Sequence, residues 1–175
     1  MSIDSEFLED DKKNKSMPGG KSAALGSGVP DKEFDALVME AWDMIPQKIK
    51  DKVKNVALLV EDEPSEESRK NEQLRPNETL LALYHGIPAT ERGVGYGVGM
   101  TLPDTITVFR KPIIDAAAQE SGIDFEWGGP TEPMKRRIRD IIRDTIWHEI
   151  AHYFGMDEDA VNEREEEGTN EFKTS

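Results

Sequence analysis

The chain contains no cysteine. That absence removes a disulfide framework, a thiol nucleophile and every thiolate metal site at once, so any metal must be held by histidine and carboxylate. No apolar run approaches the ~18 residues of a membrane span, and the N-terminus lacks the hydrophobic stretch of a signal peptide. Neither insertion nor secretion is expected, and a cytoplasmic setting is. Basic residues are scarce: 22 Lys and Arg stand against 36 Asp and Glu, for a formal charge of −14. Such a surface argues against nucleic acid or an anionic membrane as partner, and most of it reads as a solvated acidic face. The glycine-rich segment holding Gly93, Gly95, Gly97 and Gly99 has no Gly-Lys-Ser/Thr ending and no G-x-G-x-x-G register, which excludes a phosphate loop.

What is present centres on Trp147–Gly155, which contains His148-Glu149-Ile150-Ala151-His152, an H-E-x-x-H pattern. Residues four apart on a helix lie about 40° apart around the axis and one turn above one another, so His148 and His152 can aim at one metal ion. Glu149, about 100° from His148, can reach a water at that metal without ligating it. Two neutral nitrogen donors and a carboxylate to take a proton are what metal-assisted hydrolysis needs. A chance match in a chain of this length has a probability on the order of 0.01. Upstream, Met134, Ile138, Ile141 and Thr145 step by four, three and four, and the histidines continue that spacing. The pattern predicts a helix with both imidazoles on its core-facing stripe and Arg136, Arg139, Asp140, Arg143 and Asp144 opposite. Histidines facing an interior need polar partners, and a metal is one.

The length suits one domain. Residues 1–30 mix charge with Gly, Ser and Pro without periodicity and read as a disordered leader; 31–160 form the domain; 161–175 form an acidic tail. Asp31 is the expected cap of a helix carrying Phe34, Leu37, Val38, Ala41, Trp42 and Ile45, with Trp42 in the core. Pro46 suits the start of a short helix with Ile49 and Val53. Val56–Val60 reads as a buried strand, 61–78 as a polar loop, and Leu80–Tyr84 as a second strand. Residues 88–103 are either a lid over a cleft or an ordinary long loop. Thr105–Phe109 alternates as a third strand, and Pro112 opens a helix ending near Gly122. The loop 123–130 follows, and Thr131 is a candidate cap for the motif helix, with Pro133 tolerated in its first turn.

Catalytic zinc takes three protein ligands and water, so the motif lacks one. Gly155, three residues past His152, can take the left-handed conformation that ends a helix and turns the chain back. That places Glu158 in the ligand slot, with Asp157 and Asp159 as flanking alternatives. A glutamate from a later helix fits poorly, since Glu163 follows His152 by only eleven residues. A methionine turn beyond the third ligand is missing, since no methionine follows Met156. His85, at a strand end, reads as a surface residue rather than a ligand. The acidic stretch beyond Val161 reads as a solubilising terminus, with an autoinhibitory or partner-binding role as the alternative.

The chain resembles the small bacterial zincin-like metallopeptidases, the minimal matrix-metalloprotease-like domain. The resemblance is carried by the Phe34–Trp42 helix, Ile45-Pro46, Asn55–Pro64, Leu83–Arg92, Leu102–Arg110 and His148–Gly155, in order over about residues 31–160. It implies a compact α+β fold, a small mixed sheet packed on helices with the metal helix lining a cleft. It also implies one zinc per chain, His148 and His152 as ligands, and Glu149 as general base. The family usually has aspartate where Glu158 stands. The function expected is zinc-dependent hydrolysis of a peptide or protein substrate, with Thr105–Phe109 as the edge strand beside the cleft. The alternatives are a non-catalytic, zinc-stabilised interaction module with an acidic surface, and an amide hydrolase acting on something other than peptides.

Overall fold

The computed structural model describes residues 28–93, 102–121 and 129–166, with side chains to 164. Most of the leader, the glycine-rich segment 94–101, the loop 122–128 and the end of the tail lie outside the described residues.

Helix α1 (Asp31–Met44) buries Phe34, Leu37, Val38 and Ala41, the stripe its spacing predicts. Its cap is Pro30 rather than Asp31, and no side chain bonds the first turn. Asp31 pairs instead with Arg110 at the far end of the sheet. Trp42 is only partly buried against the core. A single turn, α2 (Gln47–Lys50), leads to strand β1 (Val56–Glu61). The polar segment after it contains a further helix, α3 (Glu66–Asn71), capped by Ser65 accepting from the Ser68 N–H. It has no buried residue, so no apolar stripe announces it.

Strand β2 (Ala82–His85), a 3-10 turn (Ala89–Glu91), β3 (Asp104–Phe109), α4 (Arg110–Ser121), α5 (Glu132–Tyr153) and α6 (Glu158–Glu166) complete the order. The sheet is mixed, in the order β1-β3-β2. β1 runs parallel to β3, with Val56 opposite Asp104, and β2 runs antiparallel to it, with Tyr84 opposite Ile106. Two expectations are thereby corrected. Thr105–Phe109 is the central strand and cannot offer an edge, because both sides of it are already hydrogen-bonded. Val56–Val60 is an edge strand whose outer half is exposed, with Leu59 at 42% and Val60 at 37%. The apolar run and the β-branched ends do suit a strand, but strand order is a long-range property that composition does not carry.

Ile106 and Val108 of β3 point into the core, where they meet α1, α4 and α5. Around α5, Glu33 and Glu40 of α1 pair with Lys135 and Arg139, and Glu120 of α4 pairs with Arg137. Val29 and Val161, just outside the span 31–160, are both buried, so the packed body takes in the approach to α1 and the first turns of α6. Ile146 is fully buried on α5. Ile146→Ala is expected to lower unfolding free energy by about 2–5 kcal/mol, and Leu59→Ala by under ~1 kcal/mol. Urea denaturation of the two variants checks this contrast.

Candidate metal centre

Helix α5 delivers the motif. Thr131 stands at its N-cap position without a side-chain bond, and Pro133 lies in the first turn. Met134, Ile138, Ile141 and Ile142 bury its first half, whereas Ile146, Glu149, Ile150 and Tyr153 bury its second. At about 100° per residue the buried face has rotated by roughly 90° between the halves. This corrects the expected stripe: the histidines do not continue into the core. They lie beside it, with side chains 22% and 25% exposed, and Glu149 takes the interior position at 7%. His148 and Glu149 border a cleft, and Glu149 is the more buried of the two.

The turn after α5 sets the third group. Gly155 has φ +84°, its N–H donates to the His152 carbonyl at 2.8 Å, and the Met156 N–H donates to the Ala151 carbonyl at 3.1 Å. This pair of bonds closes a helix around a left-handed residue. A Cβ on Gly155 would also collide with Oγ1 of Thr90, so both conformation and space demand glycine. Asp157 then caps α6, its Oδ1 accepting from the Ala160 N–H at 2.9 Å. With Asp157 committed to the cap, Glu158 opens α6 and swings back over the motif. Glu158 Oε2 lies 3.4 Å from His148 Nε2 and 3.3 Å from His152 Nε2.

His148, His152 and Glu158 each bring one donor atom into a group within 4.8 Å of one another. Asp157 and Asp159, the flanking alternatives, are not in that group, and neither is His85, exposed at the end of β2. The donor set fits zinc. Ligands at about 2.0–2.1 Å in a tetrahedral array stand about 3.3–3.4 Å apart, and the two nitrogen-to-oxygen separations match. His152 Nδ1 lies 2.9 Å from the Met156 carbonyl oxygen. That oxygen can only accept, so Nδ1 carries the proton and Nε2 keeps its lone pair for the site.

Glu149 is held from the sheet: its Oε2 accepts from the Tyr84 N–H at 2.7 Å. Burial raises its carboxyl above the ordinary range; the Tyr84 N–H and the two imidazoles act against that rise, and Glu158 adds to it. A cleft of about 330 Å³ adjoins His148 and Glu149, walled by Thr79–Ala82 and by Asp144 and Thr145.

Beneath lies a polar cluster that residue spacing does not announce. Arg92 and Asp104 form a buried ion pair, their side chains 11% and 4% exposed. The Tyr84 hydroxyl donates to Asp104 Oδ2 at 2.8 Å, and Arg92 Nη1 donates to the Tyr153 hydroxyl at 3.1 Å. Burial, then the bond to Asp104, pushes the Tyr84 phenol well above its usual range. Of the cluster's members, Tyr153 directly follows His152 in the sequence. Arg92 and Asp104 flank the glycine-rich segment, and nothing local pairs them.

Two comparisons bear on these groups. A family described as zincin-like metallopeptidase matches residues 53–168, more than half of the chain, from just before β1 to just past α6. No curated protein matches the chain.

The turn at Gly155 generates a direct expectation. Gly155→Ala would strain the backbone and push against Thr90, moving Glu158 off the imidazoles. Zinc affinity should fall at least about tenfold, as for other residues that orient ligands, and competition with a chromogenic chelator would measure it. Unchanged affinity would show that the turn does not deliver Glu158.

Proposed function

The chain belongs to the zincin-like metallopeptidase family, and from that premise we propose that it is a zinc-dependent peptidase with Glu149 as its general base. In this reading His148, His152 and Glu158 hold one zinc ion per chain. When bound, zinc supplies a Lewis acid that acidifies water and polarises a carbonyl. The observation that carries the reading is the placement of Glu158 Oε2 at 3.4 and 3.3 Å from the two imidazole nitrogens, with Glu149 buried on the same helix turn.

Each residue has a distinct task. Glu158 brings a negative charge to the pair of neutral imidazoles, which favours a divalent cation over a neutral ligand. Met156, through its carbonyl, keeps His152 in the tautomer that presents Nε2. Glu149 takes the proton from the attacking water and returns it to the leaving amine. Its burial supports that role, because burial raises the carboxyl and so makes its carboxylate a stronger base than an exposed one. The Tyr84 N–H engages one carboxylate oxygen, and Glu149 also lines the cleft.

The substrate proposed is an extended peptide, and β2 supports its alignment. The Phe109 N–H donates to the Leu81 carbonyl. Residues alternate in direction along a strand, so Leu81, Leu83 and His85 face β3 while Ala82 and Tyr84 turn their backbone groups towards α5. The Tyr84 N–H is taken by Glu149, so a peptide adding to that edge would pair at Ala82, which lines the cleft beside His148 and Glu149. A cytosolic setting belongs to the same proposal.

Glu149→Gln tests the assignment. The variant should retain one zinc per chain and lose about 10²–10⁴-fold in peptide hydrolysis, measured on a quenched-fluorescence peptide library. Equal turnover by the two proteins would reject Glu149 as the base. Zinc without turnover in either protein would favour an interaction module instead.

A further inference from the structure

The Arg92 guanidinium joins two tyrosines that each lead to a residue of the site. Its Nη1 donates to the Tyr153 hydroxyl at 3.1 Å, and Nη2 reaches the Tyr84 hydroxyl at 3.4 Å and pairs with Asp104. Nε donates to the Ile87 carbonyl at 2.8 Å, and the guanidinium carbon lies 4.5 Å from the centre of the Tyr153 ring. Each tyrosine leads to one site residue. Tyr84 holds Glu149 through its backbone N–H. Tyr153 directly follows His152, and its hydroxyl is pinned by the Lys54 N–H at 3.1 Å. The two rings meet edge to face, 6.1 Å apart.

We propose that Arg92 is a positioning residue: it fixes the edge strand that holds Glu149 against the helix end that carries His152. The planar fork is what the task requires. Five N–H donors in a rigid plane can serve two hydroxyls, a carboxylate and a carbonyl at once, whereas a lysine ammonium can pair with Asp104 but cannot span the tyrosines. Gly86 belongs to the same device, because a Cβ there would collide with the Asp104 carboxylate that neutralises Arg92. The pair is also buried, so the frame is stiff: moving either tyrosine would strand a charge away from water.

The kinetic part of this inference rests on the hydrolytic reading, so the experiment has a second readout. Arg92→Lys keeps the charge opposite Asp104 and is compared with Ile113→Val, a fully buried change on α4 that bears on stability alone. At equal folded fraction and full zinc loading, Arg92→Lys should lower kcat at least about tenfold with KM within about threefold, while Ile113→Val keeps the wild-type kcat. Amide hydrogen exchange at Tyr84 should speed up at least about tenfold in Arg92→Lys and not in Ile113→Val. Wild-type kcat or wild-type exchange at Tyr84 in Arg92→Lys overturns the proposal. Should wild-type protein hydrolyse no peptide in the library, the hydrolytic reading fails and the exchange result alone decides this one. If Arg92→Lys does not fold, Tyr84→Phe, which keeps the backbone N–H and loses only the hydroxyl, is judged by the same two readouts.

Discussion

Two imidazoles and a carboxylate must meet at one point, and the chain achieves this within eleven consecutive residues. One helical turn aligns the imidazoles, and a single left-handed residue reverses the backbone so that the next helix begins with a glutamate aimed back at them. Nothing long-range is needed to bring the three donor atoms together. Much else is needed to keep them there. Thr90 fills the space over Gly155, the Met156 carbonyl holds the His152 ring, and Asp157 starts α6 at the residue that leaves Glu158 free.

The proposed general base is organised on a different principle. Glu149 belongs to the helix, but its partner belongs to the sheet, 65 residues earlier in the chain. Burial raises the cost of its charge, and one backbone N–H plus the imidazoles offset part of it. The distance between α5 and β2 therefore governs the carboxylate's surroundings. That distance is held by apolar packing on one side, where Ile146 and Ile150 meet the sheet core, and by the Arg92, Asp104 and tyrosine cluster on the other. A small domain with a three-stranded sheet has little core to spend on rigidity, and buried, fully bonded polar groups supply some of it.

The local parts of this arrangement are legible in the residues. The periodicity of α1, the H-E-x-x-H spacing, the glycine three residues on and the acidic slot after it all depend on neighbours close in the chain, and the structure places them accordingly. Thr105–Phe109 shows where that stops. Its alternation makes it a strand, but only pairing partners make it central, and those lie some 20 to 50 residues away in the chain. The helix α5 shows a second limit. A strict i, i+4 series precesses around the axis, so Ile138, Ile142, Ile146 and Ile150 carry the buried face away from the histidines. Extending the early stripe puts the histidines inside and overlooks that Glu149 is the interior residue. Arg92 and Asp104 show a third, since a charged pair separated by a glycine-rich segment gives no local sign that it closes on itself.

The proposed chemistry depends on zinc being gripped by His148, His152 and Glu158. X-ray absorption at the zinc edge, with elemental analysis of wild type, His148→Ala and Glu158→Ala, tests it most directly. One zinc per wild-type chain is predicted, with two imidazole nitrogens and carboxylate oxygen at about 2.0–2.2 Å, and with at least about tenfold weaker binding in both variants. Zinc retained undiminished after His148→Ala, or a first shell without imidazole, would contradict it.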